Sequence, residues 1–178
     1  NSSADLKAFC GEHGGIVCTS SNAPKILEWS FARREKVLFF PDQHLGRWSG
    51  HKMGMAMDEM AIWNPDLEMG GLTAAQIAKA KIILWHGYCS VHQMFQPAQI
   101  IKFRNQYPDG KVISHPECSF EVCAQSDAVG STETIIRVVK ESAPGTRWLV
   151  GTELNLVERL AGEVKHEGKA VQFMADTI

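Results

Sequence analysis

Short apolar runs that end abruptly in small or polar residues constrain the fold of this chain more than any other feature. Each run contains a few residues, mainly valine, isoleucine, leucine, phenylalanine or tryptophan. Such runs are typical of strands that are buried on both faces, as in a parallel sheet covered by helices. We therefore predict strands at residues 16–18, 36–40, 81–85, 111–114, 128–130, 148–150 and 170–173.

Helical patterns lie between these runs. Segment 73–81 begins at a candidate N-cap, Thr73, with a glutamine three residues later, as in a capping box. Segment 97–107 begins with a proline and carries an apolar stripe, and segments 132–142 and 155–164 look similar. Strands that alternate with helices predict an α/β fold with parallel sheets.

The order of these elements indicates two copies of one α/β unit. The same number of residues separates Ser20 from Pro41 as separates Ser131 from Thr152, and each of these residues follows a predicted strand. We therefore predict two domains, at residues 1–91 and 92–178.

The first copy departs from the second in two places. Its N-terminal strand would end near Asn1, so we expect that strand to be missing from this chain. Segment 44–72 is rich in glycine and methionine. We interpret this segment, from about residue 48 onward, as an insertion over the surface or a lid.

Composition narrows the class of protein. The net charge is −2 and there is no basic run, so we expect neither a nucleic acid nor a membrane surface as a partner. No apolar stretch approaches the roughly 20 residues that span a bilayer, and the start of the chain does not resemble a signal peptide. The five cysteines are odd in number and irregularly spaced, which favours a reducing, cytoplasmic compartment over a disulfide framework.

Polar residues follow the predicted strands, where ligands bind in open parallel sheets. Cys89 and His92 lie three residues apart after one strand. They could form a nucleophile and its base, Cys89 could be a metal or cluster ligand, or the pair could be a core cysteine with a capping histidine.

Two further groups are candidates for ligand binding. His115 and Glu117 follow another strand and could provide a general base, although the proline between them also fits a solvated turn. Small hydroxyl residues at strand-to-helix turns could bind carboxylate or phosphate, or simply cap the helices. These residues are Ser20, Ser21, Ser131 and Thr132. Asp42 is expected to order a turn.

Taken together, several segments resemble the quinolinate synthase family. They occur in the order of the family and cover nearly the whole chain. They are NSSADLKA (1–8), IVCTSSNA (16–23), FFPDQHLGR (39–47), LWHGYCSVHQMF (84–95), SHPEC (114–118), DAVGSTETII (127–136) and VGTELNLVERL (150–160).

The resemblance implies a fold and a reaction. Members have three homologous three-layer α/β/α domains around a pseudo-threefold axis, and this chain would cover the second and third. Three cysteines, one from each domain, hold a [4Fe-4S] cluster whose remaining iron acts as a Lewis acid toward substrate. Iminoaspartate and dihydroxyacetone phosphate condense to quinolinate, with loss of phosphate and water, in de novo NAD biosynthesis. L-aspartate oxidase would be the upstream enzyme.

The resemblance also implies roles for individual residues. Cys89 matches a cluster ligand, His92 an active-site histidine and Glu117 the acid/base. The substrate-binding positions of the family match Asn1, Ser20, His115, Ser131 and Thr132.

The chain departs from the family in its cysteines. The first-domain cysteine is absent, the third would follow Ile178, and Cys118 and Cys123 lie at the wrong positions to replace them. One thiolate cannot hold a four-iron cluster, which needs about four ligands. We therefore expect the isolated chain to lack the cluster and to be inactive.

Two alternatives stay open. The first is a hydrolase or transferase with Cys89 as nucleophile, His92 as base and Glu117 as the third member. The second is a non-catalytic anion-binding or partner domain, in which Ser20 and Thr132 only cap helices.

Overall fold

The computed structural model describes residues 2–177, which form two compact units. The first unit ends at Tyr88 and the second begins at Cys89. Both contain parallel sheets with helices packed on both sides, which confirms the predicted α/β class. No helix among residues 2–177 is long and apolar enough to cross a membrane.

The first unit is built on a three-stranded parallel sheet. Its strands are β1 (Val37–Phe39), β2 (Met60–Trp63) and β3 (Ile82–Trp85). Strand β3 lies in the middle, so that Ile82 is opposite both Val37 and Met60. The helices are α1 (Ala4–Glu12), α2 (Ala23–Phe31), α3 (Gln43–Lys52) and α4 (Ala74–Lys79).

Helix α3 approaches this sheet closely because it presents a glycine at the contact. A Cβ atom on Gly46 would lie 2.6 Å from Cδ2 of Leu84 and 2.7 Å from Cδ1 of Phe39. Both neighbours are buried core residues. The absence of a side chain at Gly46 therefore allows the helix backbone to pack directly on the apolar face of the sheet.

The interpretation of segment 44–72 as an insertion or lid is wrong. It contains most of α3 and all of β2, and β2 pairs with β3 over its full length. The segment is therefore an ordinary helix and strand of the sheet. Its glycines and methionines suggested a loop, but Gly50 and Met60 are buried at the helix–sheet contact.

The predicted strand at 16–18 is also wrong. No strand forms at these residues, and Ile16 and Val17 are exposed. A strand needs a neighbour for its backbone hydrogen bonds. The described strands of this unit pair only with one another.

The second unit contains a four-stranded parallel sheet in the order β5-β4-β6-β7. Its strands are β4 (Lys111–Ser114), β5 (Ala128–Val129), β6 (Arg147–Gly151) and β7 (Ala170–Phe173). The helices are α5 (Pro97–Gln106), α6 (Phe120–Gln125), α7 (Thr132–Glu141) and α8 (Leu154–Val164).

Helices α7 and α8 cover the apolar core of this unit. Ile135 and Val139 of α7 and Leu160 of α8 are essentially inaccessible to solvent and pack with strands β4 and β6. Helices α4, α5, α7 and α8 confirm the predicted helices to within two residues at each end, and the strands other than β2 were predicted. Helices α1, α2, α3 and α6 were not predicted.

Candidate active site

The second unit brings four of the predicted site residues together beside the carboxyl end of β4. His115 and Glu117 directly follow that strand, and Cys89 and His92 lie in the segment before α5. The donor atoms of Cys89, His92 and Glu117 all lie within 4.8 Å of one another. Nδ1 of His92 is 3.1 Å from Oε2 of Glu117.

An aromatic anchor and a short helical turn hold the Cys89–His92 segment. The backbone NH of Gln93 donates to the carbonyl of Cys89 at 3.1 Å, and His92 begins the 3₁₀ turn His92–Met94. Phe95 is fully buried and meets the ring of Phe173 edge-on. The apolar anchor at Phe95 therefore fixes the polar residues that precede it.

His92 is buried, with 7% of its surface exposed. Its Nδ1 lies 3.1 Å from the Glu117 carboxylate as an ion-pair contact, and it forms no hydrogen bond with the described residues. A buried ring nitrogen in that position is a ready site for a proton or a metal ion.

Thr152 holds the other ring nitrogen, and sequence analysis did not include it among the site residues. Its hydroxyl lies 3.4 Å from Nε2 of His92, and Thr152 is 2% exposed. Thr152 follows β6, which pairs with β4 so that Gly151 is opposite Ser114. The register therefore places the residues after both strands side by side, and this strand-end position was the available signal.

His115 stacks on His92, with ring centroids 4.4 Å apart and planes 17° apart. The backbone NH of Glu117 donates to Nδ1 of His115 at 3.3 Å, which requires a lone pair on that nitrogen. Burial and the neighbouring His92 lower the pKa of His115 to about 4, against the opposing effect of Glu117. At neutral pH His115 is therefore an uncharged ring.

Glu117 is a carboxylate at neutral pH. The adjacent His92 side chain, with His115, lowers the pKa of Glu117 to about 2, against the raising effect of burial. Its side chain is 18% exposed. The site therefore combines an accessible carboxylate with two buried rings, a set that can accept, hold and move a proton.

Ser131 and Thr132 begin helix α7. Ser131 is the N-cap, and its hydroxyl accepts from the backbone NH of Thr134 at 3.4 Å. Thr132 is the first helical residue and is exposed. Thr132 is therefore not a cap, in contrast to one alternative.

The remaining predicted residues lie in the first unit or outside the described residues. Ser20 is half-buried in the turn before α2, whose cap position is Asn22, so Ser20 is not a cap either. Asp42 caps α3 by accepting from the backbone NH of Leu45 at 2.7 Å, which confirms that it orders the turn. Asn1 lies outside the described residues.

The cysteines of the second unit differ in what they can bind. Cys89 is half-buried and belongs to the Cys89–His92–Glu117 group. Cys118 and Cys123 are buried and direct their thiols at backbone carbonyls of Gly151 and His115. Burial also raises the pKa of the Cys118 thiol well above its ordinary value. The donor set therefore fits one ligand position of an iron–sulfur cluster, supplied by Cys89, and not a complete cluster.

Two parallel α/β units and a cysteine–histidine–glutamate group at the strand ends define an α/β protein with a site able to hold a metal ion. The family model described as "Quinolinate synthetase A protein" matches residues 1–178. The chain belongs to that family.

Named relatives agree with this assignment. A quinolinate synthase of Acidobacterium capsulatum is 51% identical over 177 residues, which cover 99% of this chain and 48% of that protein. Quinolinate synthases of Rhodopirellula baltica and Corynebacterium glutamicum are 50% and 52% identical, over 100% and 92% of this chain and 45% and 41% of their own lengths. The chain spans about half the length of the curated relatives it matches.

Proposed function

We propose that the full-length protein carrying this chain is a quinolinate synthase of NAD biosynthesis. It condenses iminoaspartate with dihydroxyacetone phosphate to quinolinate, with loss of phosphate and water, in the cytoplasm. L-aspartate oxidase supplies the iminoaspartate. The observation that carries the proposal is the grouping of Cys89, His92 and Glu117 beside β4, in a chain of this family.

The site chemistry of this chain supports proton transfer on anionic substrates. Glu117 is ionised and partly accessible, so it is the base for enolisation, and the proton that it takes up in that step makes it the acid for dehydration. His92 lies 3.1 Å from that carboxylate and holds a transferred proton. The uncharged His115 ring and the start of α7, with Ser131 and Thr132, provide donors for carboxylate or phosphate groups. We propose Ser20 and Asn1 as further substrate contacts.

Cys89 is the ligand that this chain contributes to a [4Fe-4S] cluster. When bound, the cluster supplies a Lewis-acidic iron. A single thiolate is too few for the cluster, so the other cysteine ligands come from outside this chain.

The arrangement of His92 speaks against the cysteine-nucleophile alternative. A nucleophile–base pair of that kind needs one ring nitrogen on the thiol and the other on an orienting acid. His92 instead directs Nδ1 toward Glu117 and Nε2 toward Thr152.

Turnover of a Glu117→Gln variant tests the proposal. In the full-length protein with its cluster, we expect kcat for quinolinate formation to fall by about 10²–10⁴-fold, because the amide cannot accept a proton. Glu121→Gln changes an exposed residue in the first turn of α6; it is the matched control and should retain the activity of the wild type. Wild-type turnover in Glu117→Gln would overturn the assigned role of this carboxylate.

A further inference from the structure

The donor atoms of the candidate site are spaced for one metal ion within the second unit. Two ligands at about 2.0–2.1 Å from a tetrahedral ion lie about 3.3 Å apart. Nδ1 of His92 and Oε2 of Glu117 are 3.1 Å apart, and the donor atoms of Cys89, His92 and Glu117 all lie within 4.8 Å of one another. These spacings place the donors of all three residues within reach of one ion.

A second observation points to a ligand at the same place. Nδ1 of His92 has no hydrogen-bond partner among the described residues, although only 7% of the surface of His92 is exposed. Buried polar atoms in proteins are normally paired. A cation between this nitrogen and the Glu117 carboxylate would satisfy both.

Thr152 contacts the ring of His92 in the way that a residue behind a metal-binding histidine usually does. Its buried hydroxyl lies 3.4 Å from Nε2 and has no other partner among the described residues. A histidine that binds a metal through one nitrogen usually donates from the other to such a group, which fixes the ring and its tautomer. Thr152 cannot be explained as a helix cap, because Glu153 caps α8.

We propose that the second unit binds a single Zn²⁺ through the Cys89 thiolate, Nδ1 of His92 and the Glu117 carboxylate, with the fourth position open. A set of sulfur, imidazole and carboxylate selects zinc over calcium or magnesium, which prefer oxygen ligands. The three protein ligands match the open type of zinc site.

Zinc in this site competes with cluster assembly. The Cys89 thiolate cannot serve both the single ion and the iron–sulfur cluster. Bound Zn²⁺ therefore keeps the protein in a form without a cluster, a consequence that rests on the proposed function, whereas the zinc site itself does not.

Cobalt titration of the cluster-free full-length protein tests the site, because tetrahedral Co²⁺ reports thiolate ligation by its near-ultraviolet absorption. The wild type should bind one equivalent with a thiolate band, and Zn²⁺ should displace it. Cys89→Ser should lose the band. His92→Gln and Glu117→Gln should weaken binding by at least about tenfold, and Thr152→Val by about 10–100-fold. His166→Ala and Glu121→Gln, both exposed, are controls with unchanged affinity.

Two results would overturn the proposal. One is a wild type without a thiolate band. The other is unchanged affinity for Co²⁺ in both His92→Gln and Glu117→Gln, because that result would assign the ion to cysteines alone. Circular dichroism checks that these near-isosteric variants fold. Reconstitution of the cluster with and without Zn²⁺ then separates the zinc-site proposal from the proposed function. A cluster that forms only without Zn²⁺ supports both, and a wild type that binds Zn²⁺ but never forms a cluster refutes the proposed function alone.

Discussion

His115 and Glu117 lie two residues apart, and the same surroundings lower the pKa of both. Burial and the stacked His92 ring disfavour a charged imidazole, whereas the histidine side chains favour the ionised form of Glu117. The folded protein therefore keeps His115 neutral and Glu117 charged at neutral pH. These are the protonation states that a base and an uncharged donor require.

The low pKa of His115 predicts a pH dependence of the metal-free protein. Between about pH 6.5 and 4, unfolded chains take up a proton at this histidine that the folded site does not. Stability should therefore fall as pH falls through this window, and below pH 4.5 Glu117 adds to the loss in the same direction.

Nuclear magnetic resonance of the ring nitrogens measures the protonation of His115 directly, and the His115→Gln variant assigns its signal. The ring should remain neutral down to about pH 4. A titration midpoint of the His115 ring at or above pH 6.5 would contradict the conclusion that burial lowers its pKa.

At the scale of the secondary-structure elements, replacing glycine by alanine should have opposite effects on the free energy of unfolding in helices α3 and α8. Gly46→Ala in α3 should lower the free energy of unfolding by about 1–3 kcal/mol, because the new methyl group would overlap Leu84 and Phe39 in the core. Gly162→Ala in α8 is the matched control. Apart from the neighbouring residues and backbone of its own helix, no atom lies within 4 Å of the added Cβ there, so the gain in helix propensity should stabilise the protein by about 0.5–1 kcal/mol.

Urea denaturation of the two variants beside the wild type gives both free energies. A stabilising Gly46→Ala would mean that α3 does not contact the sheet closely.

The glycines of α3 also explain part of what the sequence alone could not predict. A strand such as β3 is a continuous apolar run, and α7 has a cap and an apolar stripe, so local pattern identified them. Helix α3 was missed because Gly46 and Gly50 are loop signals locally, and only the tertiary contact explains them. Strand β2 was missed because it lies in the same segment rich in glycine and methionine. The run at 16–18 has a strand-like composition but lacks a described neighbour for pairing.

For the candidate site, too, the sequence predicted some features and not others. Cys89, His92, His115 and Glu117 were predicted because they follow strands and match family motifs. The grouping of three of them within 4.8 Å, and the support of His92 by Thr152, depend on segments far apart in sequence. Phe95 anchors the segment of Cys89 and His92 against Phe173, and the register of β4 and β6 places Thr152 beside the end of β4. No local pattern carries that information.

At the scale of the whole molecule, the chain contributes two α/β units, and Cys89 is its proposed cluster ligand. The second unit contains Cys89, His92, His115 and Glu117, whereas Ser20 belongs to the first. Because the chain spans about half the length of its curated relatives, the remaining cluster ligands are proposed to lie elsewhere in the full-length protein. The domain boundary near residue 92 and the pseudo-threefold arrangement stay predictions.

The most direct test of the quinolinate synthase proposal is the iron content of the full-length protein after anaerobic reconstitution with iron and sulfide. Wild type should bind about four irons with the broad visible absorption of a cluster. Cys89→Ala should lose both, whereas Cys10→Ala, in the exposed helix α1, should keep them. A Cys89→Ala protein with the iron content and absorption of the wild type, or a wild type that never binds iron, would contradict the cluster assignment.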